Sequence, residues 1–113
     1  MKYKALAVVV LLCMVAVGCR SGMTADMAYE GVSNYCHSAY DWSVAEDNSS
    51  IMGLEMGEES DTEYQVVFRS YTGALVYFHV DKASGSTRMV EYVPALDITE
   101  EAGTIDINDY LGK

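Results

Sequence analysis

Residues 62–81 read TEYQVVFRSYTGALVYFHVD. Apolar and polar side chains alternate on both sides of Tyr71-Thr72-Gly73, and a period of two interrupted by a Gly-bearing turn predicts an antiparallel hairpin, with strands over Thr62–Ser70 and Ala74–Asp81. A three-residue loop with Gly73 in the left-handed position sets Ser70 opposite Ala74, Phe68 opposite Val76, Val66 opposite Phe78 and Tyr64 opposite Val80. A two-residue loop at Thr72-Gly73 would instead put Val66 beside His79 and Tyr64 beside Asp81. A slip of one residue turns every side chain to the other face, so the clean separation of apolar and polar faces selects the longer loop.

Working outward, Thr87–Val93 reads as a further strand after Ala83-Ser84-Gly85, and Ile51–Met56 as one before the polar turn Gly57-Glu58-Glu59-Ser60-Asp61. The same three-residue geometry at Ala83-Ser84-Gly85 sets Val80 opposite Arg88, Phe78 opposite Val90 and Val76 opposite Tyr92. The expected core face is then Tyr64, Val66, Phe68, Val76, Phe78, Val80, Val90 and Tyr92. The other face carries Glu63, Gln65, Val67, Arg69, Leu75, Tyr77, His79, Asp81, Met89, Glu91 and Val93, which is too apolar for a purely solvated surface. Either residues 94–113 fold back over it or it meets a partner, and covering by this tail is the first expectation. Thr104–Ile107 is a candidate fifth, edge strand.

Before the strands, Ala25, Ala28, Val32, Tyr35, Ala39 and Trp42 recur at steps of three and four, so a helix is expected from Thr24 to about Ala39, with Thr24 as N-cap and Asp26 in the first turn. Gly31 weakens such a helix by about 1 kcal/mol relative to Ala, which points to close packing at that position. The polar stretch Glu46–Ser50 ends it. The expected fold is α+β, one N-terminal helix packed on an antiparallel four- to five-stranded meander.

The front of the chain has a different character. Met1-Lys2-Tyr3-Lys4 is a short basic start, and Ala5–Val17 is thirteen residues without a charge, which suits the apolar core of a signal peptide and falls short of the ~20 residues that span a bilayer. Ala16-Val17-Gly18-Cys19 resembles the bacterial lipobox, with Ala16 where that pattern prefers Leu. The resemblance implies a signal peptide over 1–18, a lipidated N-terminus at Cys19 with a short tether over 19–23, and a single α+β domain over 24–113. Two or three acyl chains at ~0.8 kcal/mol per buried CH₂ would hold such a protein firmly at a membrane. An ordinary secretory signal cut near the same place is the alternative, and would leave Cys19 free to pair with Cys36. Arg20 stands where some lipoproteins carry the Asp that retains them in the inner membrane. The expected location is therefore the bacterial cell envelope, at the outer membrane and facing the periplasm or the surface.

The whole chain has 113 residues and a net charge of −10. Without Lys2 and Lys4 there remain 17 acids against 5 bases, or −12. Arg20, Arg69, Lys82, Arg88 and Lys113 are scattered, which excludes a nucleic-acid surface. The chemical inventory is thin. Cys36-His37 pairs a nucleophile type with a base type, but successive helical residues point about 100° apart, so a buried Cys beside a surface His is expected and no catalysis. The acidic runs Glu58–Glu63 and Asp106–Asp109 lack the spacing of a calcium loop, and no metal or cofactor is expected.

Three resemblances touch the mature domain. Val80-Asp81-Lys82-Ala83-Ser84-Gly85, between two strands, resembles the strand–turn–strand of PepSY-type domains. The order helix then meander, with Gln65-Val66-Val67, is similar to cystatins, but Phe68-Arg69 stands where their inhibitory hairpin needs small residues and a turn Gly, so protease inhibition is not implied. The chain also looks like small uncharacterised lipoproteins of anaerobic bacteria. The resulting expectation is a membrane-tethered, non-catalytic envelope lipoprotein that binds a protein or a glycan through the outer sheet face, at Arg69, Tyr77, His79 and Glu91. The alternative is an immunity or inhibitory module against an envelope enzyme or toxin.

Overall fold

The computed structural model describes residues 22–45 and 51–112. The expected signal segment 1–18, Cys19, the first part of the expected tether and the polar stretch 46–50 lie outside the described residues. The element order is α1 (Ala25–Ala39), a 3-10 turn (Ser43–Ala45), β1 (Gly53–Met56), β2 (Glu63–Arg69), β3 (Leu75–Asp81), β4 (Ser86–Val93), β5 (Ile98–Asp106) and a second 3-10 turn (Ile107–Tyr110). The strands form one antiparallel sheet in sequence order, β1-β2-β3-β4-β5, with α1 packed on one face. The arrangement is α+β, as the alternation and helical spacing predict.

The helix starts where a cap is available. Thr24 is extended, and its hydroxyl accepts the Met27 amide at 3.1 Å, satisfying one of the free N–H groups of the first turn. Ala28, Gly31, Val32 and Cys36 form the buried stripe. Tyr35 is half-buried and Ala39 is exposed, so the inward side lies slightly round from the expected one. At the far end the Cys36 carbonyl accepts both the Tyr40 amide (2.9 Å) and the Trp42 indole N–H (3.1 Å). This turns the chain so that Tyr40 and Trp42 both pack on Phe68, with ring centroids 4.5 and 5.5 Å away.

The β2–β3 hairpin has the predicted register. Tyr64 faces Val80, Val66 faces Phe78 and Phe68 faces Val76. Gly73 has φ +92°, and Ser70 donates its amide to Ala74 across the loop at 2.9 Å. Val66, Phe68, Val76, Phe78 and Val80 are buried beneath the helix.

The next hairpin departs from expectation by one residue. Its loop has four residues, 82–85, because the Asp81 carboxylate accepts the Ser84 amide (2.9 Å) and hydroxyl (2.7 Å), and the Gly85 amide returns to the Asp81 carbonyl (2.8 Å) with φ +83° at Gly85. Val80 therefore faces Thr87, Phe78 faces Met89 and Val76 faces Glu91. All β4 side chains exchange faces: Thr87 and Met89 are buried in the core, whereas Arg88, Val90 and Tyr92 point outward. The Thr87 hydroxyl donates to the Gly85 carbonyl at 3.0 Å, so the buried polar group is satisfied.

The tail does not cover the outer face. After the Pro94–Asp97 turn it runs along β4 as β5, nine residues long where four were expected, with one irregularity where Met89 pairs with Gly103 and Val90 with Glu101, leaving Ala102 extra. It then dives to the helix side. Ile107 is fully buried against Gly31, where a Cβ would stand 3.2 Å from the Ile107 carbonyl oxygen and closer still to its side chain. Tyr110 meets the Tyr35 ring edge-on at 5.2 Å, and its carbonyl accepts the Asn34 side-chain amide.

Candidate functional site: the open face of the sheet

Registers from β1 to β5 place the outward side chains in rows. The central row is Glu55, Val67, Tyr77, Val90 and Glu101. Beside it, toward the β2–β3 turn, run Gly53, Arg69, Leu75, Tyr92 and Thr99, and on the other side Gln65, His79, Arg88 and Thr104. Five apolar residues, Val67, Leu75, Tyr77, Val90 and Tyr92, therefore form one contiguous band, all half-buried only by their neighbours in the sheet. The helix and the 3-10 turn Ile107–Tyr110 pack on the opposite face, so among the described residues no helix or strand lies across this band.

Charges frame it. His79 Nδ1 stands 3.8 Å from Glu63, and Arg88 lies 3.3 Å from Glu101. The Arg69 guanidinium passes over Gly53, 3.4 Å from where a Cβ would be. Next to it a shallow depression of about 180 Å³ is lined by Gly53, Glu55, Val67, Arg69 and Leu75. The Tyr92 hydroxyl donates to Asp97, which sits at φ +52° in the β4–β5 turn. The face thus offers apolar area with an aromatic centre, rimmed by groups of both signs, an arrangement suited to shape and charge recognition.

Of the four residues expected to act together, Arg69, Tyr77 and His79 share this face. Glu91 does not. The four-residue β3–β4 loop turns it to the helix side, where it faces Val76 and lies close enough to Tyr40 to help raise that phenol. Val90 and Tyr92, assigned to the core from the sequence, belong to the site instead. The warning was Arg88, which the shorter loop would have placed opposite Val80 on the core face, where an unpaired cation is costly.

The Cys36-His37 pair is separated as the helix geometry requires. Cys36 is fully buried, and burial pushes its thiol up to about 12, whereas His37 is exposed, bonded through Nδ1 to the Ser33 carbonyl and stacked on Trp42 at 4.2 Å. A buried thiol held protonated is a poor nucleophile. Among the described residues no three His, Cys, Asp or Glu side chains converge as metal ligands, and no helix is long and apolar enough to cross a membrane. Compared with protein-family models, curated proteins and solved structures, the chain matches none.

Proposed function

We propose that this protein is a membrane-tethered envelope lipoprotein, held by lipid on Cys19, that acts as a non-catalytic protein-binding module through the open face of its sheet. The observation that carries the reading is the contiguous band Val67, Leu75, Tyr77, Val90 and Tyr92, presented on the sheet and left open because, among the described residues, the packing elements lie on the other side. Monomeric soluble proteins rarely leave a broad apolar patch uncovered without a use for it. Tyr77 and Tyr92 supply large rigid contact area with polar tips, and Arg69 and Arg88 are of the type enriched at binding hot spots. The lipobox resemblance of Ala16-Val17-Gly18-Cys19 supports the tether.

Two variants test the two halves separately. Cys19→Ser releases the protein from the membrane fraction and removes the lipid mass from its N-terminus; unchanged membrane association would end the lipid reading. Tyr77→Ala keeps the fold, measured by circular dichroism and urea unfolding, and abolishes recovery of the partner from detergent-solubilised envelopes. Recovery of the same protein by Tyr77→Ala at wild-type yield would remove this face from contention, and capture by immobilised glycan alone would move the reading to a carbohydrate.

A further inference from the structure

The two edges of the sheet differ. β1 is four residues long, and at its free side the Tyr29 hydroxyl of α1 donates to the Leu54 carbonyl at 3.4 Å. β5 is nine residues long, and among the described residues no strand pairs with its far side. Ile107 donates its amide to the Gly85 carbonyl at 3.0 Å, and bonded and unbonded pairs alternate along an antiparallel ladder. Thr99, Glu101 and Thr104 therefore turn their backbone N–H and C=O groups away from β4. Every residue from Ile98 to Thr104 is exposed. A long open edge is a template for another strand, and proteins that must avoid such pairing blunt the edge with Lys, Pro or an inward charge. Ile98–Ile105 contains neither Lys nor Pro.

What the edge fits is written in its own order, Ile98-Thr99-Glu100-Glu101-Ala102-Gly103-Thr104-Ile105. Ile and Thr stand at both ends in mirrored order, and the two acids are mirrored by the two smallest residues. In a regular strand Ile98 and Ile105, an odd number of residues apart, would lie on opposite faces. The extra residue at Ala102 restores the match. Ile98 pairs with Val93 and Ile105 with Thr87, both on the helix side, while Thr99 and Thr104 pair with Tyr92 and Arg88 on the outer side. We propose that β5 pairs antiparallel with β5 of a second copy of this chain, joining two sheets edge to edge about a two-fold axis. The register that matches faces sets Ile98 opposite Ile105 of the second copy, Thr99 opposite Thr104, Glu100 opposite Gly103 and Glu101 opposite Ala102, and the symmetry repeats each pair. No like charges stand directly opposite one another in it. A slip of one residue crosses the faces. A slip of two sets Glu100 against Ile105 in one direction and against Glu101 in the other. The two Glu101 side chains approach each other across the axis, and each is bound by its own Arg88 at 3.3 Å. Both outer faces then point the same way, so the dimer carries its two apolar bands side by side. The pairing depends neither on the lipid nor on the partner proposed for the outer face.

Disulfide trapping reads the register. Thr99→Cys and Thr104→Cys, both at exposed positions, are made in separate full-length chains with different tags, mixed in mild detergent and oxidised with copper–phenanthroline. Cys36 is buried, and the unsubstituted chain oxidised alongside gives the background. The mixture is expected to form the 99–104 disulfide several-fold more readily than either variant cross-links to itself, because the two copies of residue 99 lie about 17 Å apart in this register. Arg88→Glu, which leaves Glu101 beside a second acid, is expected to lower that yield several-fold. Sedimentation of the unsubstituted, unoxidised chain at the same concentration is expected to give the protein mass of two chains. A one-chain mass, or equal cross-linking in the mixture and in the single variants, overturns the pairing. Capture of a different protein from position 104 in intact cells, in place of the 99–104 product, overturns the second copy as the occupant of the edge.

Discussion

Cys36 and Tyr40 show how position alone changes the chemistry of a side chain. Burial pushes both up to about 12, with Glu91 adding to the effect on Tyr40. An unfolded chain loses the thiol proton near pH 8.5–9, so between that value and about 12 the unfolded state holds fewer protons than the folded one, and stability falls as pH rises, by up to ~1.4 kcal/mol per unit for one such group. Urea unfolding from pH 8 to 10.5 is expected to show this decline, and Cys36→Ala to show a shallower one above pH 9; parallel slopes would contradict the assignment. The same logic of position separates Glu91 from Arg69, Tyr77 and His79. Glu91→Ala is expected to leave partner recovery unchanged, and Val90→Asp to abolish it, when both are compared in the recovery assay used for Tyr77→Ala.

At the scale of elements, a close contact joins the helix to the tail. Ala is a better helix former than Gly by ~1 kcal/mol, yet Gly31→Ala is expected to destabilise, because its Cβ would press on the side chain and carbonyl of Ile107. Ile107→Ala should cost about 2–5 kcal/mol on its own, as a large-to-small change in the core. In that shortened background Gly31→Ala should cost much less, and additive losses in the double-mutant cycle would refute the contact. The element boundaries also explain what the sequence could and could not reveal. The helix and the β2–β3 hairpin were legible because local signals agreed: Thr24 at the cap, alternation on both strands, and Gly73 where a left-handed residue is needed. The β3–β4 loop was not, because its length depends on side-chain bonds from Asp81 to Ser84, and one extra loop residue inverted the whole of β4. The path of the tail was hidden for another reason. Residues 98–106 are mostly exposed and weakly alternating, so nothing local tells an added edge strand from a segment folded across the face. The candidate site was legible in three of its residues, Arg69, Tyr77 and His79, and obscured in Val90 and Tyr92 by the same single-residue slip.

For the molecule as a whole, the consequence of a sheet in sequence order is that its two faces have different fates. Among the described residues, the helix and the two 3-10 turns are spent on one, where Phe68 and Phe78 are fully enclosed. The other keeps its apolar band. A net charge of −10 disfavours adsorption to anionic surfaces, which leaves the rimmed face as the place where specific contact is favourable. Photocrosslinking in intact producing cells tests this most directly, with a photoreactive residue at position 77 and a control at the exposed position 37. The account predicts that position 77 captures one envelope protein, identified by mass spectrometry, that position 37 does not capture. Equal capture from both positions, or cross-links from 77 confined to residues 98–111 of the same chain, would contradict it.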